Sequence, residues 1–283
     1  MTEGEQKKIM AGRSRGPQPA LDGDGKSATV RNRHARILEA VREQGFVTIE
    51  TLANRFDVTP QTIRRDIQTL SDEGLLHRYH GGAANTLSTE NVSYPERRVL
   101  CLHEKQKIAQ ALVQHIPNHS SLFINIGTTT EAVAEALCRH RGLRVITNNL
   151  NVAAILSKNE GFEIIVTGGL VRSRDGGIIG EAAIDFIRQF KVDFGIIGIS
   201  GIDLDGTLLD FDYREVRAAR AIIDNSRSVF LAADHTKFGR NAMVRLGNLD
   251  EIDALFTDRH PPSALTDYLA NTETRLHVVG EDG

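Results

Sequence analysis

The sequence predicts two folded units in tandem: an N-terminal winged helix-turn-helix and a C-terminal α/β domain with a largely parallel sheet. Three observations carry that expectation. Short amphipathic segments crowd into residues 32–74 and lead into an alternating ribbon that ends in a double glycine. Beyond residue 104 the pattern becomes strand, polar loop and helix, several times over. The chain has 283 residues, 40% of them hydrophobic and 25% charged, which is enough for two ordinary globular domains.

The expected division follows the composition. Residues 1–30 are rich in Gly, Pro, Ser, Asp and Lys, bury too little to offset their ordering entropy, and read as a disordered tail. Residues 31–85 make the winged unit, with the helix-turn-helix motif at about 47–66. A polar linker containing SYPERR spans 86–103, and the α/β domain fills 104–283.

Within the first unit, Ile37, Leu38 and Val41 recur at helical spacing from Asn32 onward, and Gly45 follows as a C-cap. A second short helix starts after Thr48, with Ile49, Leu52, Ala53 and Phe56 as its apolar stripe. The stretch VTPQTIRRD (Val58 to Asp66) opens the third helix, with Thr59 as cap and Pro60 at the first helical position. That helix runs to about Glu73 and stops at Gly74. Successive residues turn by about 100°, so Ile63, Ile67 and Leu70 share one face. Gln61, Arg65 and Gln68 lie opposite, flanked by Thr62 and Arg64. LLHRYHGGA (Leu75 to Ala83) forms the wing.

An apolar stripe backed by Gln, Thr and Arg is the inventory for base edges and phosphates. Arginine forks onto guanine, glutamine pairs with adenine, and threonine serves either. Residues 31–83 carry 8 basic against 7 acidic side chains, so binding to DNA must come from local placement of arginines, not bulk charge. The candidate DNA-binding residues are Thr59, Gln61, Thr62, Arg64, Arg65, Gln68 and, on the wing, Arg78.

In the second unit SLFINIG, LRVITNN, FEIIVTGG, VDFGIIGIS and SVFLAAD read as strands. EAVAEAL, LNVAAILSK, EAAIDFIRQF and YREVRAARAIIDNS read as the intervening helices. Ligands of such sheets bind at the carboxyl ends of the strands. There Gly127, Thr128, Thr129 and Thr130 offer amides and hydroxyls to a phosphate at a helix N-terminus. Thr147, Asn148 and Asn149 suit hydroxyl groups, Gly168 and Gly169 precede Arg172, and Lys237 supplies an ammonium. These eleven residues are the candidate site for a small phosphorylated, hydroxylated effector.

Other classes are excluded or disfavoured. The longest apolar run, around Phe194 to Ile202, is too short to span a membrane and is broken by glycines. No secretory segment opens the chain, and Cys101 and Cys138 stand without CxxC spacing, so a reducing, cytoplasmic setting and no zinc site are expected. His34, His77, His80 and His103 are scattered, and neither a metal nor another cofactor is implied. Asp203, Asp210, Asp212 and His235 can titrate, but no carboxylate pair or His–carboxylate spacing stands out, so the expectation is a sensor and not an enzyme.

The segment from Arg36 to Ala83, above all VTPQTIRRD and the wing HRYHGGA, resembles the DNA-binding domain of the DeoR family of bacterial transcription regulators. The second unit, with FINIGTTTEAVAEAL, RSRDGGIIGEA and DHTKFGRNAMV, resembles that family's sugar-phosphate-sensing domain, which is similar in fold to ribose-5-phosphate isomerase. The resemblance implies a repressor that leaves operator DNA when an effector binds, with glycerol 3-phosphate as that effector, and a homo-oligomer, dimer or tetramer.

Overall fold

The computed structural model describes residues 24–279 apart from 45, 80 and 85–92; the side chains at 24–29, 42–46, 77, 79 and 84 are not described. Residues 1–23, Gly45 and His80 therefore lie outside the described residues, and with them most of the expected tail and the expected cap of the first helix.

The N-terminal unit is built from α1 (Asp24–Gln44), β1 (Phe46–Thr48), α2 (Ile49–Phe56), α3 (Pro60–Asp72), β2 (His77–Tyr79) and β3 (Gly82–Ala84). α1 begins ahead of Asn32 and takes in residues 24–30, which the composition had placed in the tail. Lys26 and Ser27 are tolerated in a helix, and the first buried apolar residue comes only at Ile37, so no apolar period marks the start. β1 was also missed, because three residues are too few to show alternation. It pairs with β3, and β3 with β2, in an antiparallel ribbon of order β1-β3-β2.

Caps set the helix starts. The Thr48 hydroxyl accepts from the Thr51 amide at 3.0 Å, and the Thr59 hydroxyl from the Thr62 amide at 3.2 Å. Asp57 makes the turn between them in a left-handed conformation, φ 52°. Ile37, Val41, Leu52, Ile63, Ile67 and Leu70 close one small core.

The second unit starts earlier than expected. α4 (Tyr94–Val99) and the start of α5 (Leu102–Val113) occupy the C-terminal part of the stretch read as a linker. Ser93 and Glu96 form a capping box around Pro95, a start signal that the surrounding charges obscured. Then follow β4 (Ser121–Ile124), α6 (Thr128–Leu137), β5 (Arg144–Thr147), α7 (Leu150–Leu156) and β6 (Glu163–Val166). A hairpin of β7 (Leu170–Arg172) and β8 (Gly177–Ile179) leads to α8 (Glu181–Ile187) and β9 (Val192–Ile197). β10 (Gly201–Ile202), β11 (Thr207–Asp210), α9 (Tyr213–Asp224), β12 (Ser226–Ala232) and β13 (Val244–Asn248) come next. β14 (Ala254–Thr257), α10 (Ser263–Leu269) and β15 (Arg275–Val278) complete the unit.

Seven strands form one fully parallel sheet in the order β15-β14-β12-β9-β4-β5-β6. Strand alternation distributes the core between its two faces: Leu122, Ile124 and Val145 pack toward α5, α6 and α7. Phe123, Ile146 and Ile197 pack toward α8 and α9. No described helix is long and apolar enough to cross a membrane.

Candidate functional site

On α3 the buried and exposed sides separate as the spacing implied. Ile63, Ile67 and Leu70 are buried, whereas Gln61, Arg64 and Arg65 are exposed. The other candidates have duties within the fold. Thr59 caps the helix, its hydroxyl 2.9 Å from that of Thr62. The Gln68 amide donates to Asp72 at 2.6 Å and accepts from Arg78, which ties α3 to β2. Asp66, absent from the candidates, is buried. It receives a fork from Arg33 at 2.6 and 3.0 Å and sits 3.1 Å from His34, fixing α3 to α1. The side chains of His77 and His80 lie outside the described residues.

The second unit has a cleft at the carboxyl end of its sheet. It is lined by Arg97, Ile126, Gly127, Thr128, Thr129, Gly198, Ile199, Ser200, Asp210, Glu215 and Lys237. Strand order explains the place: the chain winds outward from β4 to β5 and β6, then returns to lay β9 on the other side of β4. The reversal opens a crevice between the loops after β4 and β9, where sheets of this type take ligands. Gly127 caps α6 at φ 148°, a conformation that favours glycine, and points the first amides of the helix at the crevice. Lys237 arrives from the loop after β12.

Four of the expected effector residues, Gly127, Thr128, Thr129 and Lys237, therefore meet. The others do not reach the cleft. The Thr130 hydroxyl turns back to the Asn125 and Gly127 carbonyls, both at 2.7 Å. Thr147 donates to the Ile124 carbonyl at 2.7 Å, and Asn149 caps α7. Asn148 donates to the Ile178 carbonyl at 3.3 Å. Gly168 and Gly169 are exposed, and Arg172 is spent on Asp175, Asp212 and Glu215 at 2.7, 3.1 and 2.8 Å. Sequence order assumed that all four strand ends converge. β5 and β6 instead lie outboard of β4, so only the ends of β4, β9 and β12 face one another.

The cleft also holds Arg97, Ser200 and Glu215, which the sequence did not single out, and Asp210, which it marked only as a group able to titrate. Asp210 comes from β11 and Glu215 from α9, a carboxylate pair where none had been expected. Burial pushes the Glu215 carboxyl up to about 7, helped by Asp210 and opposed by Arg172. Burial likewise raises Asp210, which accepts from the Ser200 hydroxyl at 3.0 Å. Burial lowers the Lys237 ammonium to about 8, with Asp234 working the other way. A His–carboxylate pair exists too, since His235 Nδ1 lies 2.6 Å from Asp258. The 23 positions between His235 and Asp258 hid that pair, and the turn from β11 into α9 hid the other, since a spacing of five fits neither a strand nor a helix face.

Cys101, Asp234 and His235 bring one potential ligand atom each within 4.8 Å of one another. Burial would raise Asp234, but the Lys237 and Lys105 ammoniums outweigh it and hold the carboxyl below its usual range. Burial keeps the Cys101 thiol protonated. The charge of Asp234 is thus already compensated by protein cations.

Comparison with known proteins agrees with both units. Residues 33–89 match the DeoR-like helix-turn-helix domain, and residues 101–259 match the DeoR C terminal sensor domain. The chain belongs to the DeoR family. It is 54% identical over 246 residues to the glycerol-3-phosphate regulon repressor of Escherichia coli K12, spanning 87% of this chain and 98% of that one. The corresponding repressor of Haemophilus influenzae is 51% identical, spanning 86% and 95%. The HTH-type transcriptional repressor CsqR of Escherichia coli K12 is 42% identical, spanning 88% and 96%. Among solved structures, ribose 5-phosphate isomerase from Plasmodium falciparum matches with TM-score 0.35 and 15% identity, covering 47% of this chain and 52% of that one. This DeoR-family protein is accordingly a transcriptional repressor with a helix-turn-helix DNA-binding domain.

Proposed function

We propose that this DeoR-family repressor governs genes of glycerol and glycerol 3-phosphate metabolism in the cytoplasm, and that glycerol 3-phosphate releases it from its operator. One observation carries the reading. The amide-rich start of α6, the Thr128 and Thr129 residues, the Lys237 ammonium and the Arg97 guanidinium meet in one cleft of a chain whose α3 exposes Gln61, Arg64 and Arg65. An anion is met there by backbone dipole and cations together, and charge-assisted hydrogen bonds are about twice as strong as neutral ones. Asp210, Glu215 and Ser200 offer acceptors to hydroxyl groups on the same ligand. The two repressors of that regulon, more than half identical over nearly their full length, support the choice of effector. Helix-turn-helix proteins read half-sites about one DNA turn apart as dimers, so we take the working form to be a homo-oligomer.

A gel shift in matched salt tests this. Glycerol 3-phosphate is expected to release operator DNA, and glycerol at equal concentration is not. Thr128→Ala and Lys237→Met should still bind operator but resist release. Release by glycerol as well would sink the phosphate argument.

The Asp210–Glu215 pair favours one rival, an isomerase-like proton transfer, because a carboxyl held at about 7 suits a general base. The protein incubated with ribose 5-phosphate, glucosamine 6-phosphate or glycerol 3-phosphate is expected to convert none of them. Turnover lost in Glu215→Gln would establish the rival.

A further inference from the structure

We propose that α4 carries effector occupancy to the DNA-binding domain, with Arg97 as the ligand that moves it; this rests on the effector cleft proposed above. Residues 85–92 alone separate Ala84 of the wing from Ser93, the cap of α4. α4 is thus the first described element of the sensor unit that a displacement would pass through on its way to the DNA-binding unit.

Arg97 has a foot in the cleft and unused donors there. Its side chain is 14% exposed, its Nε is buried without a hydrogen-bond partner, and its ion pair with Asp175 is long, 3.7 Å. A guanidinium has five N–H donors in a fixed fork. A phosphate on the α6 amides would bring the acceptors that this fork lacks. The gain would exist only in the occupied state, which is the differential contact a ligand needs to shift an equilibrium.

The helix bearing Arg97 is held by its ends and not by its body. None of its residues is buried. At its start the Tyr94 hydroxyl donates to the Glu131 carboxylate at 2.8 Å and accepts from the Asn151 amide at 2.8 Å. Glu131 stands in the first turn of α6, the turn that faces the cleft. At its end the buried Lys105 ammonium donates to the carbonyls of Arg97 and of Leu100, the latter at 2.7 Å. Between α4 and the helices α6 and α7 lies a cavity of about 660 Å³, lined in part by Arg98, Val99, Leu102, Glu131, Asn151 and Ile155. Val99 is 62% exposed. A short helix with no fully buried residue, latched to the effector-binding turn and bordered by open space, can exchange one seat for another with little loss of packing.

The test separates binding from coupling in the full-length protein. Affinity for glycerol 3-phosphate is measured by calorimetry, and operator affinity by fluorescence anisotropy with and without saturating glycerol 3-phosphate. The ratio of the two operator affinities is the coupling. Tyr94→Phe keeps the ring, removes the latch and leaves the cleft lining intact. It is expected to change effector affinity less than threefold and to shrink the coupling ratio at least tenfold. Arg97→Gln is expected to weaken effector binding at least tenfold and, at saturation, still not to restore full release. Melting curves identify any variant that does not fold; in that case Arg97→Lys, which keeps charge without the fork, takes its place with the same expectation. Full release at saturation in both Tyr94→Phe and the Arg97 variant would overturn the role of α4, whatever the affinities. Should wild type ignore glycerol 3-phosphate but answer ribose 5-phosphate or glucosamine 6-phosphate, the choice of effector fails and the variants are read with that ligand. Should no phosphate ester release the wild type, both readings fall.

Discussion

Lys237 is buried where its charge is costly, and that has a measurable sign. An ordinary lysine titrates near 10.4, whereas burial brings this one to about 8. Between those values the unfolded chain holds the proton and the folded chain does not, so the cost of Lys237 to stability is full below about pH 8 and is relieved as pH rises toward 10.4. Effector binding runs the other way. Above pH 8 the ammonium is lost, and above pH 7 Glu215 has become a carboxylate facing the same cleft. Phosphate esters complete their second ionisation near pH 6, so calorimetry between pH 7 and 9 isolates the protein's share. Affinity for glycerol 3-phosphate is expected to fall about tenfold over that range, as one unit beyond a required pKa implies; constant affinity would remove Lys237 from the site. At the DNA face, Arg65→Ala is expected to cost about 1–3 kcal/mol of operator binding in matched salt while the fold is kept. Undiminished affinity would mean that Arg65 faces away from DNA. These side chains were legible because exposure on a capped helix follows from spacing alone. Arg97 and Glu215 were not, and Asp210 was legible only as one titratable group among several, since each reaches the cleft from a different element and no local pattern marks it.

At the level of elements, α3 is the proposed reading head and also a structural brace, and the two uses sit on different residues. Thr59 starts it and Asp66 anchors it to Arg33 and His34 on α1. Thr59→Ala removes a cap, worth about 1 kcal/mol. Asp66→Ala leaves the Arg33 donors without their acceptor, a loss of about 1–3 kcal/mol. Urea unfolding of the full-length protein is expected to rank the second variant as the less stable, and equal midpoints would refute the brace. The third helix and its cap could be read directly, because Thr, Pro and an apolar stripe coincide in one short segment. α4 could not. Its capping box lies among charges, and a helix with no fully buried residue has no apolar period to detect.

For the molecule as a whole, alternation of strands and helices announced a parallel sheet, and the sheet is parallel throughout. Strand order was the part that alternation cannot supply. Placing β9 beside β4 puts the crevice between their loops and leaves the polar ends of β5 and β6 to serve as caps and turns. The same order has a consequence for synthesis. Ser121 at the start of β4 is bonded to Asp193 at the start of β9, 72 positions later. Until that partner leaves the ribosome, β4 is a naked strand edge carrying Leu122, Phe123 and Ile124, all buried in the finished sheet. Chains lengthen by about 5–20 residues per second, so the exposed edge persists for several seconds, long enough for chaperones or aggregation to compete for it. The N-terminal unit needs no such wait, because its core is drawn from residues 37–83. A chain stopped after α8 is therefore expected to present a folded DNA-binding head on an insoluble half-sheet. Centrifugation of such truncated products would show it: solubility should return only once β9 and β12 are included.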